Sequence, residues 1–174
     1  MVPAEHKKKE NISEYVLYLL HAQDVIREAG FDSGKIKQYV EEHVPKEDGD
    51  KDAILSWYQN IASQMKEEGK EKEGFIQLLK EHMDSLADLN KELLRSDQEY
   101  RRNFDQAKLH INRRLNEMNG EVRNPVEVCV VSVYEVNKMR HQGQQPEEEL
   151  ASAVFAFQNL LSYLSYRYRQ RNKS

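Results

Sequence analysis

The chain has 174 residues and carries 26 lysines and arginines against 30 aspartates and glutamates, a net charge of −4. Hydrophobic residues make up 39% and charged residues of both signs 32%, a mixture that is typical of amphipathic helices and excludes a disordered chain of one dominant charge. No apolar run approaches the ~18 residues of a membrane span, so a membrane protein is excluded as well.

The first half of the sequence predicts four amphipathic helices. Asn11 is a predicted N-cap with Glu14 as its capping-box partner, and apolar residues then recur at helical spacing until Gly30. Glycines, prolines and capping residues delimit the next three helices in the same way. The four predicted helices cover about residues 12–29, 33–44, 52–68 and 75–95.

The second half predicts three more helices. One is capped by Asp97 and ends at Gly120, and another begins at Asn124 with a proline at its first position. The valine-rich segment 126–136 also has strand propensity, so helix is favoured there but strand stays open. The last helix follows Pro146 and leads into a basic tail.

These elements predict an all-α fold, a single-domain antiparallel multi-helix bundle of about six to seven helices. We expect residues 1–10 to form a flexible N-terminal arm and residues 170–174 a flexible tail. The single cysteine, Cys129, cannot form an internal disulfide, and no signal peptide is recognisable, so we expect a cytoplasmic protein.

The sequence contains no motif that indicates a catalytic residue, a metal site or a cofactor. None of the histidines at positions 21, 43, 82, 110 and 141 has a carboxylate three residues before it, as the di-metal sites of helical bundles require. A P-loop and a dinucleotide-binding glycine pattern are missing too. Cys129 lies among valines, which is typical of an inert buried thiol.

A candidate polar pocket between helices is the main hypothesis for a binding site. Two tyrosines three residues apart, with charged residues on the same helix and an aromatic pair on another, provide the side chains that such pockets use. The alternative is core tyrosines, a surface Asp24–Arg27 pair and a packed Trp57. The candidate residues are Glu14, Tyr15, Tyr18, Asp24, Arg27, Trp57 and Tyr58.

The C-terminal segment Tyr163–Lys173 interleaves tyrosine with arginine, a composition that suits single-stranded nucleic acid. The chain is acidic overall, however, and basic residues are expected at a helix C-terminus because of the helix dipole. We therefore expect neither a nucleic-acid partner nor a membrane.

Several short segments resemble a small family of uncharacterised bacterial proteins, a domain of unknown function. They are Asn11–Tyr18 with Asp24–Arg27, Trp57-Tyr58 with Met65 and Glu68-Gly69, Leu86–Leu89 with Leu93-Leu94, Cys129–Tyr134, and the closing helix rich in leucine and tyrosine. The resemblance implies an all-helical fold in a bacterial cytoplasm and no particular activity.

Two hypotheses of function follow. The first is a non-enzymatic interaction protein that self-associates or docks a protein partner, because amphipathic helices are well formed and catalytic motifs are missing. The second is a small-molecule binder or an enzyme that uses the candidate pocket.

Overall fold

A computed structural model describes residues 1–173, and within that range the regular structure is helical throughout. Eight α-helices are separated by short loops, with one 3₁₀ turn at Lys46–Asp48. The helices are α1 Pro3–Glu10, α2 Ile12–Glu28, α3 Ser33–His43, α4 Lys51–Glu67, α5 Gln77–Ser96, α6 Gln98–Met118, α7 Pro125–His141 and α8 Glu148–Lys173. None of these described helices is long and apolar enough to cross a bilayer.

The all-α prediction is confirmed, but the predicted number of helices is wrong: the described chain has eight, not six to seven. The additional helix is α1, in the segment for which the sequence predicts an arm. It begins at Pro3 and buries Ala4, and it packs on α2. Its sequence is polar on nearly all sides, so its stability depends on that packing. Apolar periodicity in the sequence therefore did not predict this helix. The single-domain bundle with antiparallel packing stays a prediction.

The chain divides into two compact units, the first of which covers residues 1–81. Its helices begin at side-chain caps: Asn11 accepts from the backbone N–H of Glu14 at 3.2 Å, and Asp32 accepts from that of Lys35 at 3.0 Å. In this unit α2 packs against α3 and α4, and α3 packs against α4. The apolar residues that we predicted at helical spacing form the core between them.

A loop of the first unit is fixed by two side chains of α2. The Arg27 guanidinium donates to the backbone carbonyls of Lys70, at 2.9 Å, and Gly74, at 2.6 Å. The buried Gln23 side chain accepts from the backbone N–H of Ile76 at 3.0 Å. These bonds satisfy backbone groups of the loop between α4 and α5 that would otherwise be poorly paired.

The second unit begins at His82, and in it α6, α7 and α8 pack on one another. The segment 126–136, for which helix was favoured over strand, is helical. Asn124 caps α7 by accepting from the backbone N–H of Glu127 at 2.9 Å. The first half of this helix is buried on nearly all sides, with Val126–Val130, Ser132 and Val133 all buried. A segment buried in this way has no polar stripe, which explains its strand-like composition.

Candidate functional site

Three of the predicted pocket residues meet in an aromatic cluster of the first unit. Tyr18 on α2 lies 5.2 Å from Trp57 on α4, measured between ring centroids, and Trp57 meets the Tyr58 ring edge-on at the same distance. Tyr39 on α3 completes the cluster, with its ring 6.0 Å from that of Tyr58. We call Tyr18, Tyr39, Trp57 and Tyr58 the tyrosine cluster.

The hydroxyl groups of this cluster form a hydrogen-bonded chain. The Tyr58 hydroxyl is bonded to those of Tyr18 and Tyr39, and the Tyr39 hydroxyl lies 2.7 Å from Nε2 of His21. The His43 ring stacks on Tyr39 at 4.7 Å. Tyr58 is 1% exposed, and this burial raises the pKa of its hydroxyl far above the ordinary range, so it stays protonated at any physiological pH.

The remaining candidate residues are occupied elsewhere. Glu14 is exposed and faces Lys7 at 4.0 Å, while Arg27 binds the carbonyls of the loop described above. Tyr15 is buried beneath the Lys8 ammonium, which lies 5.9 Å from its ring, and burial raises the pKa of Tyr15. Asp24 is partly buried on α2. The predicted set therefore does not line one cavity, and three of its four aromatic members form a packed cluster.

Sequence reasoning missed two members of this network, Tyr39 and His21. The spacing of Tyr18 and His21, three residues apart on one helix, was a signal that both lie on the same face. Tyr39 belongs to a helix distant in sequence, so its arrival at Tyr58 depends on the packing of α3 on α4.

Cys129 is 0% exposed, and burial raises the pKa of its thiol well above the usual value. Because the thiolate is the reactive form, this thiol is inert at neutral pH, which agrees with the prediction from its valine neighbours.

A second feature lies on α8 in the second unit. Residues 150–166 of this helix contain no charged residue, although charged residues make up 32% of the chain. On one side of α8, seven exposed positions and the half-buried Arg169 are spaced alternately by four and three residues. We call this stripe the outer face of α8; it consists of Glu148, Ser152, Phe155, Asn159, Ser162, Tyr166, Arg169 and Lys173.

Two large side chains stand out from this face. Phe155 is 69% exposed and Tyr166 is 59% exposed. Leu109 on the neighbouring α6 is 66% exposed. The contacts Arg113–Glu149 and Tyr100–Tyr163 join α6 to α8. They place Leu109 at about the same height along the helix axes as Phe155. Apart from Met1, these are the exposed large hydrophobic residues of the described chain.

The solvent side of α6 shows how unusual this face is. Like α8, α6 packs in the second unit and has a solvent-exposed side, but that side is dense in charge. Its exposed charged residues are Glu99, Arg101, Arg102, Asp105, Lys108, Arg113 and Glu117. Charged side chains are typical of a helix face that is exposed to water. The outer face of α8 has none over its central four turns.

The basic end of α8 is fixed to the rest of the unit. Arg167 pairs with Asp97, and the Tyr163 hydroxyl donates to the same carboxylate at 2.9 Å. The Asp97 carboxylate also accepts from the backbone N–H of Tyr100, and these bonds hold the pKa of Asp97 below its ordinary value. Arg171 reaches Glu92 at 2.9 Å. The outer face is therefore presented by a helix with a fixed orientation within its unit.

The geometry defines an all-helical protein with a packed tyrosine cluster and an exposed helix face that carries no charge over residues 150–166. The chain belongs to the family described as domain of unknown function (DUF4924), whose family model matches residues 1–174. This confirms the resemblance to such a family. Neither the curated proteins nor the solved structures contain a match to the chain.

Proposed function

We propose that this protein is a non-enzymatic interaction protein that self-associates through the outer face of α8. The observation that carries the proposal is the exposed, uncharged stripe between Glu149 and Arg167, which includes Phe155 and Tyr166. Removing a large apolar side chain from water contributes about 1.5–3 kcal/mol, and aromatic residues are common hot spots of protein interfaces. The proposal retains the predicted antiparallel bundle and the bacterial cytoplasmic setting.

A second copy of this chain is the partner that the charges of α8 favour. Glu147, Glu148 and Glu149 stand at its N-terminal end, whereas Arg167, Arg169, Arg171 and Lys173 stand at its C-terminal end. A surface with an acidic end, an uncharged centre and a basic end is complementary to itself when one copy is turned by a half rotation. The small side chains of Ser152, Asn159 and Ser162 allow two such helices to approach closely.

The test is the mass of the protein in solution as a function of concentration. One helix pair lies at or below the small end of specific interfaces, which bury ~1,200–2,000 Å². We therefore expect a reversible dimer with a dissociation constant on the order of 1–100 µM, observed by sedimentation velocity and light scattering.

Two variants and a matched control decide whether the outer face of α8 is responsible. Phe155→Lys and Tyr166→Lys should each leave a folded monomer, because a buried unpaired ammonium opposes association. Asp105→Lys adds a lysine to the solvent side of α6 and should remain a dimer. A wild-type protein that stays monomeric up to about 1 mM, far above the expected range, would contradict the proposal.

A second candidate function is small-molecule binding or an enzymatic reaction at the tyrosine cluster. It is supported by the hydroxyl chain from Tyr18 through Tyr58 and Tyr39 to His21, since donors and acceptors of this kind orient small ligands. Native mass spectrometry of protein purified from its own host tests it. A small discrete mass that is lost in Tyr39→Phe would support it, and the bare chain mass in both proteins would count against it.

A further inference from the structure

We propose that self-association pairs α8 antiparallel with α8 of a second copy, around a two-fold axis that passes between residues 160 and 161. This inference rests on the proposed function and adds the direction and the register of the pairing. It follows from the order of side chains along the outer face of α8.

The outer face of α8 repeats at an average of 3.5 residues, because its positions alternate between steps of four and three. That repeat is the pattern of helices that pack side by side at a shallow angle of about 20°, each placing side chains between those of its neighbour. The stripe runs from Glu148 to Lys173, the whole length of the helix, and spans about 38 Å.

Residues on the outer face are symmetric about the midpoint between residues 160 and 161. A two-fold rotation about an axis through this point places a second copy of the helix antiparallel to the first. Each position of the stripe in one copy then faces a position of the stripe in the other. The pairs between copies are Asn159 with Ser162, Phe155 with Tyr166, Ser152 with Arg169, and Glu148 with Lys173.

Three of these four pairs are chemically matched. At the centre the Asn159 amide faces a Ser162 hydroxyl, two groups that hydrogen-bond and are small enough for close approach. One and a half turns further out, Phe155 meets Tyr166, a pair of aromatic rings that gain by packing edge-on or offset. At each end the Glu148 carboxylate meets the Lys173 ammonium. The two-fold axis makes each pair occur twice.

The opposite direction is disfavoured by charge. In a parallel pair with the same stripe, Glu148 would face Glu148, and Lys173 would face Lys173. Like charges in contact repel, and parallel helix dipoles add to the repulsion. The direction of the pairing is thus set by the ends of α8, while its strength comes from Phe155 and Tyr166.

Cysteine cross-linking tests the direction and leaves both aromatic residues in place. In the proposed register Ser152 of one copy faces Arg169 of the other, whereas two Ser152 residues lie about 26 Å apart along the axis. A mixture of Ser152→Cys and Arg169→Cys should therefore give a disulfide-linked dimer under mild oxidation that contains one chain of each kind. Either variant alone should stay uncrosslinked, and the wild type is the background because Cys129 is buried.

Charge reversal gives an independent test of the register. Glu148→Lys and Lys173→Glu should each raise the dissociation constant of the dimer by roughly three- to tenfold, because two exposed ion pairs become repulsive. Combining both changes in one chain should bring it back to the wild-type value. Glu121→Lys, on the loop before α7, is the control that changes the same charge away from α8.

The outcomes separate this inference from the proposed function. A wild-type dimer whose single-cysteine variants each cross-link to themselves would overturn the antiparallel register and leave self-association intact. A wild-type dimer that cross-links in neither the mixture nor the single variants would place the interface elsewhere and overturn both proposals. Cross-linking confined to the mixture, with rescue by the double charge reversal, is the expected result.

Discussion

The tyrosine cluster and the outer face of α8 use similar side chains for opposite purposes. Both contain uncharged aromatic side chains, yet Tyr58 is 1% exposed and Phe155 is 69% exposed. The hydroxyls of the cluster are bonded to one another and its rings pack together, so it needs no further partner. The face of α8 leaves its aromatic rings in water. Aromatic composition alone thus does not identify a functional surface; its combination with exposure does.

The largest effect should come from emptying the tyrosine cluster. Tyr58→Ala removes a fully buried ring, and we expect a loss of about 3–5 kcal/mol in the free energy of unfolding. Urea unfolding followed by circular dichroism measures it. The neighbouring Gln59→Ala is exposed and should change stability by less than about 0.5 kcal/mol. A loss of less than about 1 kcal/mol in Tyr58→Ala would show that the tyrosine cluster is not a packed core. It would then no longer differ in this respect from the outer face of α8.

Removing single hydroxyls sharpens the comparison. Tyr58→Phe leaves the hydroxyls of the half-buried Tyr18 and Tyr39 without their shared partner, and should cost about 1–3 kcal/mol. Tyr166→Phe removes an exposed hydroxyl that accepts from the Gln170 amide, and should cost less than about 0.5 kcal/mol. Equal losses in the two variants would show that the hydrogen-bonded chain contributes nothing beyond ring packing.

The anchoring of α8 should depend on pH. The pKa of Asp97 is lowered in the folded state, so its stabilising contribution is present above the unfolded pKa, near 3.8, and is lost as pH falls through the folded pKa. Asp97→Asn retains a capping oxygen but loses the charge that faces Arg167. It should be about 1 kcal/mol less stable than wild type at neutral pH, and this difference should shrink below pH 3.8.

The control for this titration is Asp105→Asn on the solvent side of α6. It should follow the wild-type curve of unfolding free energy against pH at every point. A difference between Asp97→Asn and wild type that does not change with pH would assign the effect to packing instead of charge.

The smallest effect concerns salt. If the outer face of α8 associates through Phe155 and Tyr166, raising the salt concentration from about 0.05 M to about 0.5 M should weaken the dimer only a few-fold, because screening acts on the end pairs alone. Sedimentation velocity at two salt concentrations measures this. A loss of association at high salt would show that charge, and not the contact between Phe155 and Tyr166, holds the dimer.

Helix boundaries were predictable because their signals are local. Asn11, Asp97 and Asn124 cap helices in the structure as their residue types and positions predicted. The preference for helix over strand in segment 126–136 was also correct, since the start signal at Asn124 outweighed the valine composition. The basic tail, predicted as flexible from residue 170, is helical up to Lys173.

The candidate site was predictable only in part. Tyr18, Trp57 and Tyr58 were identified from the sequence because they stand on two strongly periodic helices. Glu14 and Arg27 were grouped with them by proximity in sequence, but they point to other partners. His21 could have been found from its spacing to Tyr18 on α2. Tyr39 joined the cluster through the packing of α3, and no local pattern contains that information.

The sequence by itself determined the helical class, most helix boundaries and the buried thiol of Cys129. Those properties depend on local propensity, capping and apolar periodicity, which act within a few residues. Tertiary structure alone decided that α1 is a helix, that Tyr39 meets Tyr58, and that Phe155 and Tyr166 remain exposed. Periodicity shows that a helix has two faces, but which face water reaches depends on neighbours that are distant in the chain.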